Sequence, residues 1–378
     1  MTSTIIGIPK EIKTDEKRVS LTPSAVEEII NHKNQVFVQS TAGEGAGFDD
    51  SQYEKAGAKI LETAEEVFKE SKLIVKVKEP QANERKLLTS EHTLFTYLHL
   101  AADKSQTDDL VASNATCIAF ETVTDSQGSL PLLTPMSAIA GRMSVQAGAH
   151  CLEASNGGKG VLLAGAPGAE SGRVAVIGCG VVGSNAVQIA VGMGAEVVVL
   201  DRDKNILDFI DKQYSGKVRT VFSDQDAIVS EVLESDLVVG AVLLPGAKAP
   251  KLIDKEMVSE MKSGSVIVDV AIDQGGCVET AHPTTHTAPT FVIDEVIHYC
   301  VANMPGAVPR TATISLTNTI LPYVLTLTNK GVKEALLSDP NFMNGLNVCA
   351  GNICEPAVAE THNLDYMNPA EALEFCLN

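Results

Sequence analysis

The chain has 378 residues, of which 44% are hydrophobic and 20% charged, and a formal charge of −19 at pH 7. That length exceeds what a single core usually serves, so two domains are expected, and a field of this sign argues against nucleic acid and anionic membranes as partners. Eight cysteines with no C-x-x-C pair make no disulfide scaffold and fit a reducing cytoplasm.

The opening M-T-S-T-I-I-G-I-P-K-E lacks a basic region followed by a long apolar stretch, so no signal peptide is expected. Ile5–Ile8 reads as a short strand ending at Pro9-Lys10-Glu11. Thr22-Pro23 is a helix start, with Thr22 as cap and Pro23 in the first turn, and Val26, Ile29 and Ile30 give that helix an apolar face. Gln35–Gln39 reads as a strand. Gly43, Gly45 and Gly47 imitate a nucleotide turn, but no long apolar strand feeds them, so an ordinary loop is expected. Helices are expected over 51–56 and 64–70, and strands over 73–77, 94–98 and 117–120. This alternation predicts a first α/β domain with a mostly parallel sheet. Thr134-Pro135 opens a long helix reaching about Glu153.

The stretch Arg173–Asp203 is the most informative in the chain. Val174–Ile177 is a β-branched run of the kind that forms a buried parallel strand. Gly178, Gly180 and Gly183 follow in G-x-G-x-x-G spacing, then a helix opening on Val181 and Val182, then a second strand, Glu196–Leu200, ending at Asp201. In this context the glycines permit a tight turn, backbone approach to a pyrophosphate and close helix packing. The free N–H groups of the helix start favour the diphosphate. The expected ligand is a dinucleotide. Asp201 favours NAD over NADP, because a carboxylate accepts the ribose hydroxyls and repels a 2′-phosphate; Arg202 beside it softens the preference. Further strands are expected over 237–243, 265–270 and 291–293. The loop 303–310 is too rich in Pro and Gly for helix or central strand. Residues 311–330 read as a helix that Pro322 kinks, followed by a short helix and a polar tail. Neither of the uncharged runs, 174–195 and 311–329, reads as a membrane span.

Several side chains at predicted strand ends carry candidate chemistry. His99 suits proton transfer near neutral pH, although a histidine there is also an ordinary polar loop residue. Alternation puts Lys76 and Lys78 on the same side, either as an anion site or as a solvent-facing pair, and Arg18 has the same two readings. Asp269 and Asp273 bracket Val270-Ala271-Ile272 at the end of a nucleotide-domain strand. His282 and His286 stand four apart, but Pro283 opposes the helix that would align them, so no metal site is expected. Cys179 reads as a small residue filling a tight turn.

Taken together, the chain resembles the L-alanine dehydrogenase family from near its N-terminus to about Gly351. The resemblance rests on I-G-I-P-K-E-I-K, R-V-S-L-T-P, V-K-V-K-E-P, F-T-Y-L-H-L-A-A-D, P-M-S-A-I-A-G-R-M-S-V-Q-A-G-A, V-D-V-A-I-D-Q-G-G-C and H-Y-C-V-A-N-M-P-G-A-V-P-R-T. It implies an α/β fold of two Rossmann-like domains, with mostly parallel sheets flanked by helices and separated by a catalytic cleft. The implied division is a substrate domain from 1–133, completed by 305–378, and an NAD-binding domain from 134–304. The implied reaction is reversible NAD-dependent deamination of L-alanine to pyruvate and ammonium in a cytoplasmic homohexamer. By this resemblance Arg18 and Lys78 bind the substrate carboxylate and keto oxygen. His99 is the general acid/base, Asp273 is the second catalytic residue, and burial beside Arg18 and Lys78 is expected to lower the pKa of His99. The cofactor positions are Ser137, Gly178, Gly180, Val181, Val182, Gly183, Asp201, Arg202, Val242, Leu243, Asn303 and Met304. The family usually has Gly where this chain has Cys179. Two alternatives remain open at this point. The nucleotide-binding subunit of nicotinamide nucleotide transhydrogenase shares the architecture, but Lys78, His99 and V-D-V-A-I-D-Q-G-G favour the amino-acid enzyme. A non-catalytic NAD-sensing protein is the other.

Overall fold

The computed structural model describes residues 4–242 and 249–375. The chain divides into two compact units, one formed by Met1–Met136 with Val308–Asn378 and the other by Ser137–Ala307. In the first unit the strands β1 (Ile5–Ile8), β2 (Gln35–Gln39), β3 (Lys59–Leu61), β4 (Leu73–Val75), β5 (Thr93–Thr96) and β6 (Thr116–Ala119) run parallel. In the second, β7 (Arg173–Ile177), β8 (Glu196–Asp201), β9 (Val218–Phe222), β10 (Leu237–Gly240), β11 (Val266–Asp269) and β13 (Val296–Tyr299) are parallel, and β12 (Thr290–Ile293) is an antiparallel edge. The strands β14 (Leu346–Cys349) and β15 (Asn352–Ile353) return late in the chain and extend the first sheet antiparallel beyond β6.

The spatial orders are β15-β14-β6-β5-β4-β1-β2-β3 and β12-β13-β11-β10-β7-β8-β9. Both sheets therefore wind outward in two directions from their first strand, with the reversal between β1 and β4 in one and between β7 and β10 in the other. In doubly wound sheets the strand carboxyl ends at such a reversal leave a crevice for ligands. Every residue of β4, β5, β6, β10, β11 and β13 is buried, as befits strands covered by helices on both faces. Parallel pairing also demands crossover helices. Local signals set their starts: Thr22 Oγ1 accepts from the Ala25 N–H with Pro23 in the first turn, and Asp49 and Thr63 each close a capping box.

The structure corrects several sequence expectations. The apolar runs over 73–77, 94–98 and 117–120 outlast their strands, because Val77, Tyr97, Leu98 and Phe120 stay buried after the chain has left the ladder. The strand expected over 237–243 ends at Gly240, and Leu243 lies outside the described residues. The strand expected over 265–270 is β11, and Val270 already belongs to a 3-10 turn, Val270–Gln274. The loop expected over 303–310 contains a 3-10 turn at Met304–Ala307, and the next helix begins at Pro309, where a first-turn proline loses no hydrogen bond. That helix continues to Lys330 with Pro322 inside it. The five strands β3, β9, β13, β14 and β15 lay outside the sequence expectations, as did the helices Lys104–Ser113, Lys204–Tyr214, Gln225–Glu234 and Lys255–Glu260.

Candidate active site

In the first unit the chemistry collects where four neighbouring parallel strands end. Glu11 follows β1, Lys76–Lys78 follows β4, Tyr97–His99 follows β5 and Glu121 follows β6. Arg18 lies on the loop after β1 and is 2% exposed. Its Nε donates to Glu16 Oε1 at 2.7 Å and its Nη2 to Glu16 Oε2 at 2.5 Å, a bidentate clamp, while Nη1 lies 3.1 Å from Met136 Sδ. Burial works against the charged guanidinium, but Glu16 outweighs it and raises the pKa, so Arg18 stays a cation. The Pro309–Lys330 helix fixes the adjoining segment. Thr313 Oγ1 accepts from the Val19 N–H at 3.1 Å, and Thr317 Oγ1 donates to Ser20 O at 2.9 Å. Two threonines of this helix therefore hold the loop that carries Arg18.

Lys76 and Lys78 do not form the pair that alternation suggested. The ladder ends at Val75, so strand periodicity does not extend to either of them. Lys76 is wholly buried, with Nζ 2.8 Å from Glu84 Oε1 and 3.1 Å from Glu11 Oε2. Burial favours its neutral form, yet the two carboxylates prevail and raise its pKa. Burial in turn raises the pKa of Glu11 against the pull of Lys76. Glu11 also accepts the Val77 N–H at 2.6 Å and the Lys78 N–H at 3.4 Å, so the buried ion group shapes the turn that presents Lys78. Lys78 itself is half-buried, and its carbonyl accepts from Thr96 Oγ1 at 3.0 Å.

His99 occupies a left-handed turn, φ 53° and ψ 40°. The Glu121 carboxylate accepts its backbone N–H at 2.5 Å and that of Leu98 at 3.1 Å. The imidazole stacks on Tyr97 with centroids 5.9 Å apart and planes 5° apart, and the Tyr97 hydroxyl donates to Leu132 O at 2.6 Å. The expected burial of His99 is absent. Its side chain is 44% exposed, because it projects past the end of β5 rather than into the core.

The second unit holds the fingerprint. Gly178 has φ 87°, and a Cβ there would meet Ala241 O at 2.9 Å. A Cβ on Gly183 would strike Gly178 O at 1.9 Å, so this position is set by the fold. Gly180 differs: among the described residues no atom lies within 4 Å of its would-be Cβ, and it starts the Val181–Gly192 helix without a side-chain cap among them. That combination of open backbone and uncapped N–H groups fits a pyrophosphate. Val181 is 42% exposed at the helix start, Val182 is half-buried, and Val242 lies against Gly178. Asp201 ends β8, where Oδ2 accepts the Cys179 N–H at 2.6 Å and Oδ1 the Asp203 N–H at 2.8 Å. Burial, then the Asp201 charge, pushes the Cys179 thiol up to about 12. Arg202 Nε donates to Ser223 O at 3.4 Å. Ser137 is half-buried in the Thr134–Cys151 helix.

At the end of β11 the two aspartates separate. Asp269 is fully buried and caps the following turn, accepting the Ala271 and Val278 N–H groups at 3.1 Å each; its role is structural. Asp273 is exposed, and its Oδ2 accepts the Asn303 N–H at 3.3 Å. Asn303 has φ 61°, and its carbonyl lies 3.2 Å from His286 Nε2. Met304 is buried beside it in sequence. His282 stacks on Phe291 with centroids 3.8 Å apart, away from the partner spacing suggested. Among the described residues no group of three His, Cys, Asp or Glu side chains is placed to hold a metal. Sequence reasoning assigned no role to Glu11, Glu16, Tyr97 or Glu121. Two of them, Glu11 and Tyr97, stood inside quoted motifs, I-P-K-E and F-T-Y-L-H, but only the fold shows what each carboxylate or ring touches.

Comparison with known proteins assigns two family domains, the second of which runs beyond the second unit into the returning segment of the first. The family description "Alanine dehydrogenase/PNT, N-terminal domain" matches residues 7–140, and "Alanine dehydrogenase/PNT, C-terminal domain" matches residues 144–356. The chain is 55% identical to an alanine dehydrogenase from Halomonas elongata over 97% of this chain and 99% of that protein. It is 48% identical to an alanine dehydrogenase from Mycolicibacterium smegmatis over 98% and 100%. A solved L-alanine dehydrogenase superposes with a TM-score of 0.92 at 48% identity, covering 95% of this chain and 99% of that one. A transhydrogenase from Sinorhizobium meliloti, TM-score 0.80 at 22% identity over 93% and 99%, shares the fold.

Proposed function

The chain belongs to the alanine dehydrogenase/PNT family and is an NAD-dependent amino-acid dehydrogenase; within that family we propose that it interconverts L-alanine with pyruvate and ammonium, with hydride transfer at nicotinamide C4. The observation that carries the reading is the full-length match to alanine dehydrogenases. Each unit supports it by itself: the first holds a charged, clamped Arg18 and the half-buried Lys78, and the second holds the open Gly180 turn. On this reading the first unit binds substrate and the second binds NAD, and the chain assembles as a cytoplasmic homohexamer whose mass in solution is directly measurable. Among the described residues no helix is long and apolar enough to cross a membrane.

NAD, held at the Gly178–Gly183 turn, would supply or accept the hydride at the substrate Cα. Arg18, oriented by Glu16, pairs with the substrate carboxylate. Lys78 polarises the keto oxygen of pyruvate during amination. His99 takes and returns the proton as water adds to the iminium carbon and ammonia departs, with Asp273 as the second polar group. Gly178, Gly180, Val181, Val182 and Gly183 form the diphosphate turn, Asp201 and Arg202 flank the ribose, and Ser137, Val242, Asn303 and Met304 complete the cofactor site.

The test is NADH oxidation followed by absorbance, with ammonium and a panel of keto acids, and with NADPH in a parallel series. Turnover is expected with pyruvate and NADH. His99→Ala is expected to lose about 100-fold or more in kcat with NADH still binding. Binding of NADH by the wild type without turnover of any keto acid would support the non-catalytic alternative instead.

A further inference from the structure

We propose that Glu121 is a positioning residue that fixes His99 through its main chain; the proposal rests on reading His99 as the general acid/base. The turn at 98–100 is held at nearly every peptide group. Glu121 accepts the N–H groups of Leu98 and His99. Gln106 Nε2 donates to Leu98 O at 2.7 Å, Thr107 Oγ1 donates to Leu100 O at 3.0 Å, and His362 Nε2 lies 2.8 Å from the same Leu100 carbonyl.

Glu121 is the part of this network that determines where His99 sits. A residue with a side chain disfavours φ near +53° and persists there only when its surroundings impose it. The imposing contact is the short bond from the His99 N–H to Glu121 Oε1, on a carboxylate whose side chain is only 14% exposed. The ring is treated differently. It rests on the anchored Tyr97 and is 44% exposed, with Nδ1 3.8 Å from Glu121 Oε1, too long for a hydrogen bond. A fixed main chain under an accessible imidazole is the arrangement a proton carrier needs, since small misplacements slow proton transfer steeply.

The test uses full-length wild type, Glu121→Gln and Glu121→Ala, assayed for NADH-dependent amination of pyruvate and titrated with NADH by fluorescence. The alanine variant is expected to lower kcat by about 10- to 100-fold while the NADH dissociation constant stays within about twofold. The glutamine variant, which retains an acceptor oxygen, is expected to lose less. A structural role alone would not produce the next result. In single-turnover measurements on a His99→Ala background, adding Glu121→Gln is expected to change the rate by less than about twofold, because both substitutions remove one function. Wild-type kcat in a folded Glu121→Ala protein would overturn the proposal, and so would an undiminished effect of Glu121→Gln without His99. If the alanine variant does not fold, the glutamine variant and its double mutant decide the matter. Failure of the wild type itself to aminate pyruvate would refute the functional reading instead, so the two failures are distinct.

Discussion

Glu79 follows the proposed substrate lysine and shows how charges at this edge support one another. Burial opposes its ionisation, but Lys78 and the bond from Lys13 overcome that and hold its carboxyl below the ordinary value of 4.5. A folded-state pKa below the unfolded one contributes stability above the unfolded value, and the contribution disappears as pH falls through the folded one. Glu79→Gln is therefore expected to cost no more than about 1 kcal/mol near pH 7, since the partially exposed Lys13 screens the pair. In urea titrations the two proteins are expected to converge below pH 4.5; a difference that persists or grows in acid would contradict the assignment. Single residues were also where sequence reading was least complete. Lys76 and Lys78 look alike in V-K-V-K-E-P, and only Glu11 and Glu84, brought in from other segments, determine which lysine is buried. Arg18 was legible as a candidate, whereas its Glu16 clamp was not, because a pair two residues apart faces one way only on this particular loop.

At the scale of elements, the strand–turn–helix of the fingerprint was legible because its signals are local. An apolar β-branched run becomes β7, spaced glycines make the turn, and Asp201 ends β8. The edge strand β9 shows little burial and so little periodicity. The returning strands β14 and β15 depend on β6, more than two hundred positions earlier in the chain, and no local pattern reports such a partner. The fingerprint glycines also separate by function. Gly183→Ala forces a Cβ into the Gly178 carbonyl, a backbone overlap expected to cost about 1–3 kcal/mol or more and to lower the melting temperature. Gly180→Ala meets no atom of the described residues, so its melting temperature is expected to hold while NADH binding weakens about tenfold, roughly 1.4 kcal/mol. Equal loss of stability in both variants would show that Gly180 serves the fold alone.

For the whole molecule, the two doubly wound sheets matched the fold class expected from alternating strands and helices, and the comparisons place both halves of the chain in one family. The proposed reaction is tested most sharply by where the hydride goes, and one labelling experiment reads that directly. The protein is incubated with NADH carrying deuterium at both C4 positions, pyruvate and ammonium, and the product is analysed by mass spectrometry and chiral chromatography. L-Alanine with one deuterium at Cα is expected, formed one-for-one with NADH consumed. Unlabelled alanine, lactate in its place, or no product from a protein that binds NADH would contradict it.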